Sequence, residues 1–159
     1  MHMALACAQA AADAGETPVG CVIVDESSGE VVAEGRNGPI GAHDPTAHAE
    51  IVALRKAVRA RGRAALQGAT LLATGEPCAL CYRVAAAHGI AAVRFAVDRD
   101  TAAAWGFDYR AGYAVDATDR LPLAATARPL PVERGLAPFV RYLDLHRDDF
   151  TTHSSPTTT

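Results

Sequence analysis

The sequence has few aromatic residues, a single lysine and no long hydrophobic run. Aromatic side chains make up 6% of the 159 residues, and Lys56 leaves arginine to supply almost all of the positive charge. The net charge of −3 argues against a broad nucleic-acid surface, because such a surface is normally basic. No apolar stretch approaches the ~18 residues that a bilayer-spanning helix needs, so no membrane partner is expected.

The overall composition is that of one globular domain. We expect that domain to cover residues 1–150, with a Ser/Thr-rich tail over 151–159 that is too polar to pack and is disordered. The N-terminus shows no charged segment followed by an apolar core and a cleavage site, so a cytoplasmic location is expected. In that reducing compartment, the pair Cys78-x-x-Cys81 is expected to bind metal and not to form a disulfide. Cys7 and Cys21 are expected to be buried as small hydrophobic side chains.

Metal-binding side chains occur in two short segments about thirty residues apart. Thr46–Glu50 reads T-A-H-A-E, and Glu76–Cys81 reads E-P-C-A-L-C. These segments supply His48, Cys78 and Cys81 as zinc ligands and no obvious fourth ligand. Because a structural zinc site closes its tetrahedron with four protein ligands, a set of three predicts a catalytic site with one position open to water.

A carboxylate accompanies the three ligands. Glu50 lies two residues after His48, where it can take a proton from a zinc-activated water and deliver it to a substrate. Attack of water on a ring carbon that carries an amine, converting C–NH2 to C=O, is a reaction that suits these groups. A zinc-bearing scaffold without turnover is the alternative, although such a module has no use for Glu50.

The hydrophobic pattern predicts alternating strands and helices. In chain order we predict a helix over 3–14, strands over 19–24 and 30–36, a helix from 46, a strand over 67–74, a helix over 79–87 and a strand over 91–97. A mixed α/β sheet with helices on its faces is expected from this order. Further along, we predict a short helix over 101–105, short or edge strands among the later prolines, and a helix over 137–147.

The two motifs and the order of elements resemble the cytidine-deaminase-like superfamily of zinc deaminases. Within it, three stretches are similar to both the bacterial tRNA-adenosine deaminases and the guanine deaminases: 18–20, 34–37 and 44–51. Residues 37–41 favour the tRNA enzymes, whereas 105–108 and 136–139 favour the guanine deaminases. The resemblance implies a three-layer α/β/α sandwich around a mixed five-stranded sheet, one zinc ion with water as its fourth ligand, and Glu50 as the proton shuttle.

The resemblance also implies a set of substrate-binding residues, namely Val19, Asn37, Ala49, Trp105 and Phe150. Asn37 matches a base-contacting asparagine, and the backbone of Ala49 would lie against the base. Val19 stands where guanine deaminases usually carry a phenylalanine. This difference implies a pocket that is wider or that stacks differently against the base. Asp108 matches a catalytic acidic residue near the departing amine, with an ordinary loop aspartate as the alternative.

The expected reaction is hydrolytic deamination of a purine-type base, guanine or a close analogue, to the oxo product and ammonia. The alternatives are a tRNA adenosine deaminase, or a deaminase of cytosine, a nucleoside, a triazine or a pterin. The expected partners are a small amino-heterocycle, no nucleic acid, and a second copy of the chain. The resemblance implies that the two copies exchange C-terminal segments, so that Phe150 covers the site of the partner.

Overall fold

The computed structural model describes residues 1–38, 44–115 and 117–147. The helices are α1 (His2–Asp13), α2 (Ala49–Arg61), α3 (Ala79–Ala87), α4 (Arg99–Ala104), α5 (Ala111–Val115), α6 (Pro122–Ala125) and α7 (Ala137–Leu145), with 3-10 turns at Arg63–Leu66 and Thr118–Arg120. The strands are β1 (Gly20–Val24), β2 (Val31–Arg36), β3 (Thr70–Gly75), β4 (Ala92–Val97) and β5 (Arg128–Pro129).

The five strands form one mixed sheet in the order β2-β1-β3-β4-β5. β1 is antiparallel to both β2 and β3, whereas β3, β4 and β5 run parallel to one another. The parallel pair β3–β4 is joined through α3, as a parallel connection requires a crossover. The predicted mixed five-stranded α/β sheet is therefore confirmed.

Two glycines let helices approach opposite faces of the sheet. A Cβ on Gly20 would lie 2.1 Å from the Ala4 carbonyl oxygen of α1, and one on Gly35 would lie 2.2 Å from the Ala49 carbonyl oxygen of α2. Gly35 pairs with Cys21, the neighbour of Gly20 along β1, so the two glycines face opposite sides of the sheet. The sheet consequently lies between α1 and α2, as a three-layer sandwich requires.

The main core lies between the sheet and the α2–α3 layer. Ile23 and Leu71 from the sheet pack in one buried cluster with Leu54 of α2 and Tyr82 of α3, and all four are fully buried. Burying a side chain of this size stabilises the fold by roughly 1.5–3 kcal/mol. The same packing fixes α2 and α3 to the sheet, and therefore fixes the residues at which these helices begin.

The helix predicted from Thr46 begins three residues later, at Ala49. Asp44 accepts hydrogen bonds from the backbone N–H of Thr46, at 2.9 Å, and from its hydroxyl, at 2.5 Å. These bonds hold Thr46 in a turn, because an aspartate side chain competes with the helix for nearby backbone donors. His48 therefore precedes the helix instead of lying in its first turn, which corrects the prediction.

The C-terminal part contains more structure than the sequence predicted. The short α5 and α6 were not expected, whereas β5 is a two-residue edge strand containing Pro129, as the proline spacing suggested. α7 ends at Leu145, two residues before the predicted bound, and it packs against α1 with Arg141 Nε 2.7 Å from Asp13. In the described ranges no helix is long and apolar enough to cross a bilayer.

Candidate metal and catalytic site

The site forms where two neighbouring helices begin. His48 directly precedes α2 and Cys78 directly precedes α3, and both residues have extended backbone, with φ/ψ of −67°/153° and −69°/170°. The two helices pack against each other. The first N–H groups of a helix carry partial positive charge, which stabilises a thiolate placed beside them. The fold thus brings two predicted ligands to adjacent positive helix ends.

Three donor atoms lie at distances that suit one zinc ion. The Cys78 sulfur is 3.4 Å from the Cys81 sulfur and 3.4 Å from Nδ1 of His48, and the Cys81 sulfur is 3.5 Å from that nitrogen. Zn–S bonds of about 2.3 Å and Zn–N bonds of about 2.0 Å at tetrahedral angles separate ligand atoms by about 3.5–3.8 Å. The three distances lie at or slightly below this range, so the atoms can form one face of a zinc tetrahedron, which leaves a fourth corner for water or substrate.

Cys78 is prepared to bind metal as a thiolate. Hydrogen bonds from Cys81 and from His48 lower the pKa of the Cys78 thiol to about 4, despite an opposing effect of burial. The thiolate is the form that binds zinc. The ligand set consequently offers at least one negative charge to a cation at neutral pH.

Glu50 lies beside the ligands in the first turn of α2. Its side chain is 3% exposed, and Oε2 is 3.4 Å from the Cys81 sulfur. Burial, with the nearby Cys78 as the next cause, raises the pKa of this carboxyl. A buried carboxyl next to an open metal position is typical of a group that takes up a proton and returns it.

A cavity of about 370 Å³ opens over these residues. Its size lies at the lower end of the range for small-molecule sites. Its polar lining consists of Thr17, Asn37, His48, Glu50, Glu76, Cys78 and Asp108. The rest of the wall is formed by small, apolar and aromatic residues: Val19, Gly75, Ala102, Gly106, Phe107, Tyr109 and Phe139.

The family model of the cytidine and deoxycytidylate deaminase zinc-binding region matches residues 1–97. That segment includes all three ligands and Glu50. The chain belongs to this family. The predicted family, fold and zinc cofactor are therefore confirmed, since the family binds zinc and the three donor atoms fit the ion.

Relatives within the family act on different substrates. The chain is 40% identical to guanine deaminase of Bacillus subtilis (strain 168) over 91 residues, which are 57% of each protein. It is 44% identical to the tRNA-specific adenosine deaminase of Haemophilus influenzae over 81 residues, 51% of this chain and 46% of that enzyme. The chain therefore spans about half the length of these two curated relatives.

Solved structures give the same two relationships. The crystal structure of guanine deaminase from Bacillus subtilis aligns with a TM-score of 0.61 and 30% identity, covering 90% of both chains. A structure from a study of A-to-I editing by tRNA:A34 deaminases aligns with a TM-score of 0.57 and 36% identity, covering 62% of this chain and 74% of the other. The similarity to the guanine deaminase thus extends further along the chain.

Some of the predicted substrate residues line the cavity, and others do not. Val19 and Asn37 line the cavity, and Asn37 Oδ1 accepts a hydrogen bond of 2.9 Å from the buried backbone N–H of Ala49. Trp105 ends α4 and is not among the lining residues. Phe150 lies outside the described residues. The interaction between Asn37 and Ala49 fixes the orientation of the amide beside the metal site.

Asp108 lines the cavity mouth with an exposed carboxylate. Arg110 binds it through Nε, at 2.9 Å, and through Nη2, at 2.7 Å. These bonds lower the pKa of Asp108 to about 2, so the carboxylate is ionised at neutral pH. Its negative charge is therefore available at the cavity edge, although it is partly neutralised by the arginine.

The sequence did not single out three aromatic residues of the cavity wall. Phe107 and Phe139 meet edge to face, with ring centroids 5.0 Å apart, and Tyr109 packs in the same cluster. Phe107 and Phe139 lie within the two stretches that favoured guanine deaminases, 105–108 and 136–139. A signal was therefore present, but the pattern gave no reason to direct these rings toward the metal.

Proposed function

We propose that this chain is a zinc-dependent hydrolytic deaminase of a purine-type base, guanine or a close analogue. The observation that supports this proposal is Glu50, a buried carboxyl 3.4 Å from a ligand sulfur in the wall of a small-molecule cavity. A scaffold site has no use for this group. The likeness to guanine deaminase of Bacillus subtilis over 90% of both chains favours a purine base over other rings.

The proposed chemistry is the replacement of an amine by oxygen. Zinc held by His48, Cys78 and Cys81 supplies a Lewis acid that lowers the pKa of a water molecule. Glu50 takes a proton from the attacking water and gives it to the ring nitrogen beside the amine-bearing carbon. The carboxyl then transfers the second proton to the departing amine, so that C–NH2 and H2O become C=O and NH3.

The cavity walls supply the proposed contacts to the base. The Asn37 amide, oriented by the N–H of Ala49, would hydrogen-bond the ring edge. Val19 would pack against one face of the ring, and the edge-to-face pair Phe107–Phe139 forms an apolar wall. A flat base with polar edges matches such a cavity, because apolar walls bind its faces while a few polar groups fix its orientation.

The remaining predicted residues stay proposals. Asp108, ionised beside Arg110, would accept a hydrogen bond from an amine at the cavity mouth and so act near the leaving group. Trp105 would contact substrate only if the end of α4 moves toward the cavity. Phe150 would cover the site from the second subunit of a homodimer.

Light scattering tests the dimer, and crystals grown with a substrate analogue would test the exchange of C-terminal segments.

A tRNA adenosine deaminase is the second candidate. The 44% identity to the enzyme of Haemophilus influenzae supports it. The charge distribution opposes it, because Arg55 and Arg61 on α2 form ion pairs with Asp44 and Glu30. An arginine whose charge is already paired with a carboxylate binds a phosphate backbone more weakly than a free one. Filter binding to tRNA across a salt series separates the candidates, since phosphate contacts give a steep decrease in affinity with salt.

Ammonia release from a panel of substrates tests the proposal directly. The panel contains guanine, adenine, cytosine, their nucleosides, an aminotriazine, a pterin and tRNA. Turnover of guanine or another purine base is expected, and activity confined to tRNA or to cytosine would contradict the purine assignment. Glu50→Gln is the control for the mechanism, because it keeps the shape of the side chain and removes the proton shuttle. Its kcat should decrease by roughly 10²–10⁴-fold with zinc retained.

A further inference from the structure

The chain segment that carries Cys78 to its ligand position is held by two tyrosine hydroxyls. Tyr109 donates a 2.7 Å hydrogen bond to the backbone carbonyl of Glu76. Tyr113 donates to the next carbonyl, that of Pro77. We propose that Tyr109 and Tyr113 are positioning residues of the zinc site, which hold the Glu76–Pro77 turn so that Cys78 faces His48 and Cys81.

The turn needs such partners because the chain leaves the sheet at this point. The N–H of Glu76 still bonds to the carbonyl of Val97 in β4, at 2.8 Å, but Pro77 has no N–H to donate. The side chain of Pro77 is fully buried, and a buried carbonyl without a donor is costly. The two hydroxyls therefore supply donors to both carbonyls of the turn.

The ring of Tyr113 is itself held by Arg99. Its guanidinium carbon lies 4.2 Å from the centroid of the Tyr113 ring, within the range of a cation–π contact. The backbone N–H of Arg99 donates to the Glu76 carboxylate at 3.0 Å, and its guanidinium lies 3.6 Å from the other carboxylate oxygen. Arg99 therefore links the ring of Tyr113 to the side chain of Glu76. The backbone carbonyl of Glu76 is in turn the acceptor for Tyr109.

Both phenols remain hydrogen-bond donors under working conditions. Tyr113 is 4% exposed and Tyr109 is half-buried, and burial raises the pKa of each phenol above its ordinary value. Neither hydroxyl therefore ionises at neutral or mildly basic pH. The two hydrogen bonds to the turn are therefore retained across this pH range, as expected for groups that orient a metal ligand.

A third tyrosine in the same cluster provides a matched control. Tyr82 packs edge-on against Tyr113, with centroids 6.5 Å apart and an interplanar angle of 83°. Its hydroxyl is buried and, within the described part of the chain, has no hydrogen-bond partner. Tyr82→Phe thus removes a hydroxyl from the same packing environment without removing a bond to the turn.

The test is zinc release from the purified holoprotein to a chromogenic chelator. Tyr109→Phe and Tyr113→Phe should each release zinc about tenfold faster than the wild type, and the double variant still faster. Tyr82→Phe should release zinc at the wild-type rate. The absorption bands of the cobalt-substituted protein report the geometry of the thiolate ligands. These bands should shift in Tyr109→Phe and Tyr113→Phe and remain unchanged in Tyr82→Phe.

Two results would overturn the proposal. One is a wild-type release rate in both single variants, and the other is the same acceleration in Tyr82→Phe, which would indicate a packing effect. Tyr109→Phe alters a half-buried hydroxyl, so it keeps the test decisive if Tyr113→Phe does not fold. The proposal rests on the zinc site alone, and no substrate enters either measurement. Its failure would therefore leave the purine proposal standing.

Discussion

Gly35→Ala should displace the zinc ligands by moving the start of α2. A Cβ at Gly35 would lie 2.2 Å from the carbonyl oxygen of Ala49, which is about 1.2 Å short of the 3.4 Å where ordinary contact begins. It would also lie 2.7 Å from the backbone nitrogen of Ala53. Because both atoms belong to helix backbone, no side-chain rotation relieves the overlap, and the first turn of α2 must move.

The displaced turn contains Glu50 and is directly preceded by His48, so the change should affect both metal binding and catalysis. A shift of about 1 Å is large compared with the 3.4–3.5 Å spacing of the ligand atoms. Misplacement of that size costs roughly 10²-fold in rate. Overpacking should also lower the free energy of unfolding by about 1–3 kcal/mol.

Gly20→Ala separates the two effects. A Cβ at Gly20 would lie 2.1 Å from the carbonyl oxygen of Ala4, an equally severe overlap against α1 on the opposite face of the sheet. The unfolding free energy, from urea titrations, should decrease similarly in both variants. Zinc content after dialysis against a weak chelator should decrease only in Gly35→Ala. If the two variants retained zinc equally, the reasoning that the contact between β2 and α2 positions His48 would be wrong.

Three further predictions concern the cavity and the turn before α2. Gly75→Leu should raise KM for a two-ring base more than it lowers kcat. The reason is that a side chain there points at Phe139 and Tyr109, each 4.0 Å from the added Cβ. Steady-state ammonia release measures both constants, and Gly75→Ala should be tolerated. Asp108→Asn should lower kcat for the purine with zinc retained, whereas unchanged kinetics would support a plain loop role. A hydrogen bond from the Thr46 side chain is the chief cause that lowers the pKa of Asp44 from 3.8 to about 2. The ionised carboxylate therefore stabilises the fold above pH 3.8, and this contribution is lost as the pH falls from 3.8 toward 2. Asp44→Asn should therefore reduce the acid dependence of the urea midpoint in that window, and an unaltered pH profile would count against the pairing.

Local signals in the sequence predicted the metal-ligand set and the bounds of α3 correctly. α3 was predicted over 79–87 and has those bounds, because Pro77 and Cys78 precede it and His88–Gly89 ends it. The three ligands were grouped from their residue types and spacing. These inferences succeed because each depends on a few neighbouring residues and on the rule that helix N-termini stabilise anions.

Signals from distant residues were not readable in the same way. The start of α2 was placed too early, because the competing turn depends on the Asp44 side chain, whose other partner is Arg55, eleven residues along the chain. α5 was not predicted, since its five residues include Gly112 and its buried face is essentially Tyr113. The hydroxyl of Tyr113 acts on Pro77, thirty-six residues earlier, and no periodic pattern encodes such a contact.

The same distinction explains why the reaction is easier to infer than the substrate. His48, Glu50 and Cys78 are fixed at the starts of two helices that pack on the sheet, so their geometry is set by the core. The wall opposite them comes from separate segments, including Phe107 and Phe139, which pack in a smaller cluster of their own. A substitution in that cluster can change the size of the cavity without moving a ligand. Substitutions of Phe107 or Phe139 should therefore alter which ring is accepted and leave zinc in place. Gly35→Ala, in contrast, should lose zinc whatever ring is offered.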